Sequence, residues 1–407
     1  MSEQEFGWFV GIDWASAEHE VRVLDAGGTD QGRRSVPHTG RALGELGDWL
    51  EEVSGQHPER VAVAIELVRG AVVEALLARG FAVFGINPKQ LDRFRDRYTV
   101  AGVKDDRLDA FVLADTLRTD RARYRALQLD DPKIIRLRGL VDAQEELVEE
   151  LGRSCNRLRA QLERFYPQLL RLCPAADEPW VWAVLTLAPT PTRAAHLRGA
   201  QVGRLLHAHR IRRLELTEVL TALREPALPV APGTVEAASG QVALLLARLR
   251  LAHAQHSRCE KQIDAALEDL AGDDPESDAA LLRSLPGVGR AVATRLLVDA
   301  TALLAARDYG ALRSQSGIAP VTRRSGKRRV VMMRRACSGR LRYAMHHWAF
   351  ASMQRDPRSR AIYAAARTRG QTHGRALRGL ADRLLRVLIA MLKSRTPYDP
   401  ERIRRAA

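Results

Sequence analysis

At 407 residues, the chain is long enough to bury more than one hydrophobic core, and its 46% hydrophobic and 28% charged residues exclude wholesale disorder. Its formal net charge is +15, but residues 281–407 alone carry +22, from 28 basic and 6 acidic side chains, whereas residues 1–280 carry −7. This segregation predicts a C-terminal region that binds nucleic acid, because a generally Arg-rich composition would spread its charge evenly.

The sequence lacks the patterns of membrane, secreted and zinc-binding proteins. No run approaches the ~18 consecutive apolar residues of a membrane helix, and the N-terminus has no signal-peptide pattern. The four cysteines are scattered, with neither a CxxC pair nor zinc-ligand spacing. We therefore expect a cytoplasmic protein with no membrane partner.

Residues 1–128 alternate between strand and helix patterns. Strands are predicted at 9–13 (FVGID), 21–25 (VRVLD), 61–66 (VAVAIE) and 81–87 (FAVFGIN). Helices are predicted at 40–53, 69–80, from Pro88 onward and at roughly 105–118. Two adjacent strands followed by alternating strands and helices indicate an α/β domain with a mixed sheet.

Residues 129–275 carry two heptad patterns on either side of a predicted helical insert at 172–240. The first runs from Leu137 to Phe165 and the second from Leu245 to Leu270, each lasting ~4 heptads. An antiparallel coiled coil or dimerisation element is one interpretation. Two amphipathic helices packed on a globular body are the alternative.

The basic region, residues 276–395, is predicted to be all-α, with loops near 310–340 and a charged tail at 396–407. Residues 281–297 (LLRSLPGVGRAVATRLL) have the form of a helix-hairpin-helix. Gly287 and Gly289 would then let the backbone approach a phosphate at the N-terminus of the second helix. A plain helix turn is the other interpretation.

Four carboxylates in residues 1–128 suggest a metal site. Asp13 and Glu66 each follow an apolar run, and Asp106 and Asp109 are three residues apart on one predicted helix face. Carboxylates from several elements are what a two-Mg²⁺ phosphodiester site requires. Singly, each could instead be an ordinary solvated acid.

The segment 321–342 holds nine basic residues and no acidic one: Arg323, Arg324, Lys327, Arg328, Arg329, Arg334, Arg335, Arg340 and Arg342. We predict that these cations bind nucleic-acid phosphates. Ser325 lies among them and could attack a phosphate, since nearby cations stabilise its alkoxide and the transition state. Chemistry alone favours a turn residue or a phosphate contact for Ser325 over a nucleophile, and Ser316 and Ser338 also precede glycine, so spacing does not choose among the three serines.

Two sets of motifs resemble one known family. The GIDW and VAIE strands and the helix KDDRLDA are similar to the RuvC-like, ribonuclease-H-fold domain of the DEDD insertion-sequence transposases, the IS-one-ten and IS-eleven-eleven group. The resemblance places the family's paired aspartates on Asp106 and Asp109, while Asp105 replaces the usual Thr or Ser. Gly317-Ile318-Ala319-Pro320, then Ser325-Gly326, then Gly339-Arg340-Leu341-Arg342 match the family's second motif set, which makes Ser325 the nucleophile.

This resemblance implies a transposase, or site-specific recombinase, of a bacterial insertion sequence that acts through a phosphoserine intermediate. It further implies Mg²⁺, as two ions, at one composite site formed by the four carboxylates and Ser325. The implied partners are donor and target DNA, a non-coding bridge RNA, and copies of the chain as dimers pairing into tetramers; the implied location is the bacterial nucleoid. Two alternatives stay open: a Holliday-junction endonuclease that uses metal ions only, and a non-enzymatic nucleic-acid scaffold.

Overall fold

The structure, a computed structural model, describes residues 5–98, 106–326 and 328–400. It divides the chain into two units, residues 1–131 and residues 132–407. In the described ranges, no helix has the length and apolar composition that crossing a membrane requires. The domain boundaries predicted above within the second unit remain predictions.

The first unit is a five-stranded mixed sheet with helices packed on it. The strand order is β3-β2-β1-β4-β5, with β1 antiparallel to β2, β2 antiparallel to β3, and β1, β4 and β5 mutually parallel. This architecture is consistent with the ribonuclease-H-fold expectation. Its elements in chain order are β1 (Trp8–Asp13), β2 (Glu18–Asp25), β3 (Asp30–Pro37), α1 (Gly40–Val53), β4 (Val61–Ile65), α2 (Ala71–Ala78), β5 (Ala82–Gly85), α3 (Pro88–Arg95) and α4 (Asp106–Asp120).

The sheet has a core on each face because its central strands are apolar on both sides. Every residue of β4 is buried, as expected of a central parallel strand. Side chains that alternate along the strands pack against α1 and α2 on one face and against α3 and α4 on the other.

Within the first unit, the edge strand β3 was not predicted from the sequence. Its sequence, DQGRRSVP, is polar, and Val36 is its buried hydrophobic residue. An edge strand pairs on one side only and needs little apolar surface, so hydrophobic alternation does not reveal it.

The second unit is mostly helical and is organised by two long helices that pack along each other, α5 (Pro132–Phe165) and α11 (Thr234–Ala271). Between them in sequence lie five short helices, α6 (Gln168–Leu172), α7 (Pro179–Leu187), α8 (Pro191–Ala195), α9 (Gly199–Ala208) and α10 (Leu216–Leu223).

Each end of the α5–α11 pair is incorporated in a separate hydrophobic core. Cys155, Leu158 and Leu162 of α5 pack with α6–α10, while Leu137 and Val141 pack with the C-terminal helices. This packing agrees with the alternative of amphipathic helices on a globular body. The coiled coil stays a prediction.

The C-terminal part of this unit is not all-α. It comprises α12 (Asp278–Ser284), α13 (Arg290–Asp299), α14 (Thr301–Ala305), α15 (Tyr309–Gln315), β6 (Val321–Ser325), β7 (Arg328–Met332), α16 (Gly339–Arg355), α17 (Pro357–Thr368) and α18 (His373–Ser394). Strands β6 and β7 form an antiparallel ribbon where loops were predicted. The β-branched residues of VTRRS and RRVVM favour extended backbone, but the exposed strands have no apolar alternation to signal it.

Candidate active site

Two of the predicted carboxylates lie at the same edge of the sheet. Asp13 is the last residue of β1, and Glu66 directly follows β4. These strands are adjacent and parallel, and Ile12 is in register with Ile65. Neighbouring strands in a sheet are ~4.8 Å apart. The two half-buried residues Asp13 and Glu66 therefore stand side by side at the C-terminal ends of β1 and β4.

Helix α4 brings Asp109 against this part of the sheet. A Cβ atom built on Gly11 would lie 1.8 Å from the carbonyl oxygen of Ala110 and 2.6 Å from the backbone nitrogen of Ala114. A side chain at position 11 would therefore push α4 away from β1. Asp109 is buried beside this contact, whereas Asp106, one turn earlier, is exposed.

A partly buried ion pair that was not predicted from the sequence holds the buried carboxylate of Asp109. The guanidinium of Arg95, at the end of α3, donates from Nε to Oδ1 of Asp109 over 2.6 Å and from Nη2 to Oδ2 over 2.7 Å. The hydrogen bonds to Asp109 raise the pKa of Arg95, and the charge of Glu66 adds to the effect. Arg95 therefore lies close to two of the four carboxylates. The sequence gives only an indirect signal for Arg95: a carboxylate that is buried requires a nearby cation, but the sequence does not say which one.

The four carboxylates fit a hard divalent cation by chemistry, since all their ligand atoms are oxygens. Each oxygen of Asp109 accepts one hydrogen bond from Arg95 and keeps a second lone pair, so Asp109 could still bind an ion while Arg95 holds it. Among the described residues, Cys173, Asp177 and Glu178 form a group whose possible ligand atoms all lie within 4.8 Å of one another. This group is in the second unit and includes none of the four predicted carboxylates. Glu178 there already pairs with Arg213. Asp105 of the predicted motif lies outside the described residues.

In the second unit, Ser325 occupies the tip of an exposed ribbon. It is the last residue of β6 and is paired with Arg328, the first residue of β7, across a turn in which Gly326 has a φ of +54°. Side chains alternate between the faces of a strand. Arg323 and Arg328 therefore share the face of Ser325, and the pair of Arg324 with Arg329 lies on the opposite face.

The other two candidate serines have structural roles. Ser316 is buried, and its hydroxyl donates to the carbonyl oxygen of Leu312 over 2.7 Å. The Oγ of Ser338 accepts a hydrogen bond from the backbone N–H of Leu341 and caps α16. Among the described residues, no hydrogen bond occupies the Ser325 hydroxyl, which is exposed.

The predicted phosphate-binding cations differ in their surroundings. Arg323, Arg324, Arg328, Arg329 and Arg335 are exposed and form no ion pair with a carboxylate of the described ranges. Arg334 and Arg342 are half-buried. The Nε atom of each is buried and has no hydrogen-bond partner among the described residues.

One of these cations is already neutralised. Arg340 pairs with Asp142 over 3.2 Å and with Glu145 over 2.6 Å, both on α5, so much of its charge is engaged inside the unit. Lys327, also predicted to bind phosphate, lies outside the described residues.

The glycine turn between α12 and α13 packs on another helix. A Cβ at Gly287 would lie 2.5 Å from the backbone nitrogen of Ser352 on α16, and the carbonyl oxygen of Pro286 accepts hydrogen bonds from Ser352 and Trp348. Close helix packing is thus sufficient reason for Gly287. Gly289 is open and caps α13, in a hollow lined by two acidic residues of α11, Asp264 and Glu268, and by Arg283 and Arg290, of which Arg290 pairs with Asp264. Phosphate binding at Gly287 and Gly289 remains a prediction.

Two segments of the chain match models of transposases. Residues 10–167 match the model DEDD_Tnp_IS110, described as a transposase, and residues 279–364 match the model of the transposase IS116/IS110/IS902 family. A Streptomyces coelicolor protein, named provisionally as the mini-circle transposase for IS117, is 32% identical over 413 residues, which cover 99% of this chain and 98% of that relative.

Two further relatives carry similar names. The insertion element IS110 uncharacterized 43.6 kDa protein of Streptomyces coelicolor is also 32% identical, over 97% of this chain and 96% of its own length. A Sinorhizobium fredii protein, named provisionally as transposase y4uE, is 45% identical over 208 residues; that match spans 51% of this chain and 58% of the relative.

Proposed function

Because the chain belongs to the IS116/IS110/IS902 family of insertion-sequence transposases, which cut and rejoin DNA, we propose that it recombines DNA through a phosphoserine intermediate on Ser325. The observation that carries this proposal is the placement of Ser325. It is an exposed serine with a free hydroxyl in the described structure, at the tip of an arginine-rich ribbon.

The proposed cleavage exchanges one phosphodiester bond for another. The Ser325 oxygen attacks the scissile phosphorus and loses its proton to solvent or a base, and the P–Oγ bond forms as the bond to one sugar oxygen breaks. The released sugar oxygen takes up a proton. In the rejoining step, a sugar hydroxyl of the partner strand attacks the same phosphorus and regenerates Ser325. Because a phosphodiester is kept throughout, no external energy source is needed.

Arg323 and Arg328 are the cations best placed to assist, since both share the face of Ser325. Guanidinium groups stabilise the charge that develops on the equatorial oxygens of a phosphoryl transition state. The arginines on the opposite face would hold neighbouring phosphates and fix the register of the DNA.

Asp13, Glu66, Asp106 and Asp109 are proposed to bind Mg²⁺, as two ions. Support comes from the all-oxygen donor set and from the convergence of Asp13, Glu66 and α4 at one edge of the sheet. When bound, Mg²⁺ would neutralise phosphate oxygens and lower the barrier to phosphoryl transfer. In the chain itself, Arg95 holds the carboxylate of Asp109 in place through two hydrogen bonds.

The partners proposed are donor and target DNA and a non-coding bridge RNA that selects them, with dimers of the chain pairing into tetramers in the bacterial nucleoid. The RNA, the assembly and the nucleoid follow from the resemblance to the DEDD insertion-sequence transposases. The basic charge of residues 281–407 supports binding to either nucleic acid.

Strand cleavage of a supercoiled plasmid that carries the ends of the element tests the proposal. Wild-type protein should nick this plasmid in Mg²⁺ when the non-coding RNA from the element's ends is added, and Ser325→Ala should not, whereas Ser316→Ala should remain active if it folds. Full activity of Ser325→Ala would support the metal-only junction endonuclease. Binding without cleavage by the wild-type protein would support the non-enzymatic scaffold.

A further inference from the structure

A cavity of about 420 Å³ lies at the base of the ribbon, within the second unit. Its walls come from the loop after α15, from Met333 just beyond β7, from the N-terminal half of α16 and from α18. Cavities of this size accept small organic groups. Of the residues that line this cavity, Arg342 is the one predicted from the sequence to bind phosphate.

The cavity combines apolar walls with uncompensated positive charge. Ile318, Met345 and Leu377 form apolar wall, and Arg342 and Arg378 stand beside it. Within the described residues neither arginine pairs with a carboxylate. Arg378 donates a hydrogen bond to the sulfur of Met333 over 3.4 Å and Arg342 donates one to the backbone carbonyl oxygen of Arg335 over 3.4 Å, and the lining of this cavity contains no acidic residue. An occupant with an apolar body and an anionic group would satisfy both features.

Aromatic rings mark the rim of this cavity. Tyr343 is 68% exposed, and its ring centroid lies 4.1 Å from that of His347. Burial, followed by the charges of His347 and His373, lowers the pKa of His346 in the lining and so favours its neutral ring. A large exposed tyrosine beside imidazole rings is poorly explained by folding, but it is a suitable stacking surface for a flat heterocycle.

We propose that this cavity receives the base of an unpaired DNA nucleotide, which stacks on Tyr343 while Arg342 and Arg378 bind its phosphate. The proposal rests on the function proposed above, because the ribbon that leads into Met333 also carries Ser325 at its tip. Four strand steps separate Val321 from Ser325, about 13 Å. At ~3.4 Å per base step, the unpaired nucleotide lies within about four nucleotides of the cleaved phosphate.

Binding of short oligonucleotides to the full chain tests this site without any cleavage. The probes are a 12-nucleotide DNA strand whose only base is a central 2-aminopurine, all its other positions being abasic, the same strand with an abasic site there as well, and the RNA with the same pattern of bases. Base–aromatic stacking contributes about 1–3 kcal/mol. Wild-type protein should therefore bind the 2-aminopurine DNA about tenfold more tightly than the abasic DNA, and stacking should quench the fluorescence.

Two variants remove the site in different ways. Tyr343→Ala deletes the stacking surface. Gly374→Leu, at the start of α18, fills the cavity; position 374 has room for a side chain, and leucine favours a helix more than glycine. Both variants should reduce the preference for the base to below about twofold and restore the fluorescence. The matched control Arg335→Ala, outside the lining, should weaken both DNA probes equally.

Equal binding of the two DNA probes to wild-type protein would overturn the proposal, as would a base preference that survives both variants. A preference found with RNA alone would overturn the assignment to DNA. These results separate the two proposals: cleavage through Ser325 without any base preference refutes the cavity site only, and base preference without cleavage refutes the phosphoserine mechanism only.

Discussion

Gly11 and Ala110 are in backbone contact, with α4 lying so close to β1 that a Cβ at position 11 would fall 1.8 Å from the Ala110 carbonyl oxygen. Asp13 is two residues beyond Gly11, and Asp109 directly precedes Ala110. The small residues of the GID and DA motifs therefore set the separation between two of the proposed metal ligands. A larger residue at position 11 or 110 would move α4 away from β1 and so separate Asp13 from Asp109.

Gly11→Ala should separate α4 from β1 and misplace Asp109. Overpacking of this kind costs about 1–3 kcal/mol, so we expect a lower free energy of unfolding in urea and loss of plasmid cleavage. The matched control is Gly44→Ala on α1, where a Cβ meets nothing within 4 Å and helix propensity improves. Unchanged cleavage by Gly11→Ala would show that this contact does not set the metal site.

Asp13→Asn should abolish cleavage and leave DNA binding intact, because it removes a proposed Mg²⁺ ligand without changing the volume of the side chain. Excess EDTA should have the same effect on the wild-type protein, and added Mg²⁺ should reverse it. Glu45→Gln, an exposed substitution on α1, is the control and should remain active. Cleavage that persists in EDTA would refute the metal site.

Arg95→Gln should make stability dependent on Mg²⁺. Removing one partner of a buried ion pair costs about 3–5 kcal/mol, because Asp109 is left buried without its cation. If Mg²⁺ can take the place of the guanidinium, adding it should raise the melting temperature of Arg95→Gln more than that of the wild type.

The exposed neighbour on the same helix supplies the control for this experiment. Arg93→Gln should melt like the wild type, with and without Mg²⁺. A melting temperature of Arg95→Gln that Mg²⁺ does not change would show that the ion does not replace Arg95 at Asp109.

The faces of the ribbon predict unequal roles for two adjacent arginines. Arg328→Gln, on the face of Ser325, should lower the cleavage rate by about 10²-fold, the usual effect of losing one group that stabilises a transition state. Arg329→Gln, on the opposite face, should mainly weaken binding. Replacing both should lower the slope of log affinity against log salt by ~1.8, at ~0.9 per phosphate contact. Equal loss of cleavage rate in the two single variants would contradict the assignment of faces.

The sequence predicted most of the first unit because its signals are local. The predicted helix at 40–53 matches α1, and the apolar runs before Asp13 and Glu66 are β1 and β4. The Arg95–Asp109 pair could not be predicted, since it joins α3 to α4 through side chains that no motif links. The ribbon was missed because exposed arginines conceal the alternation that identifies a strand.

Among the candidate serines, the sequence could not choose by spacing, and the resemblance favoured Ser325. In the structure, the hydroxyls of the other two serines are used at helix ends, where backbone polar groups need hydrogen-bond partners. Ser316 bonds back to α15 and Ser338 caps α16. These roles depend on where α15 ends and α16 begins, and such boundaries are the least certain part of a prediction from sequence.

A search for DNA covalently linked to Ser325 is the decisive experiment on the proposed phosphoserine intermediate. Wild-type protein would be incubated in Mg²⁺ with a DNA that carries the element's end and a nick beside the cleavage site, then denatured, digested with protease and analysed by peptide mass spectrometry. We expect a DNA adduct on the peptide that contains Ser325, absent from Ser325→Ala and retained in the variant Ser316→Ala. An adduct on Ser316 or Ser338, or efficient cleavage with no adduct at all, would contradict this expectation.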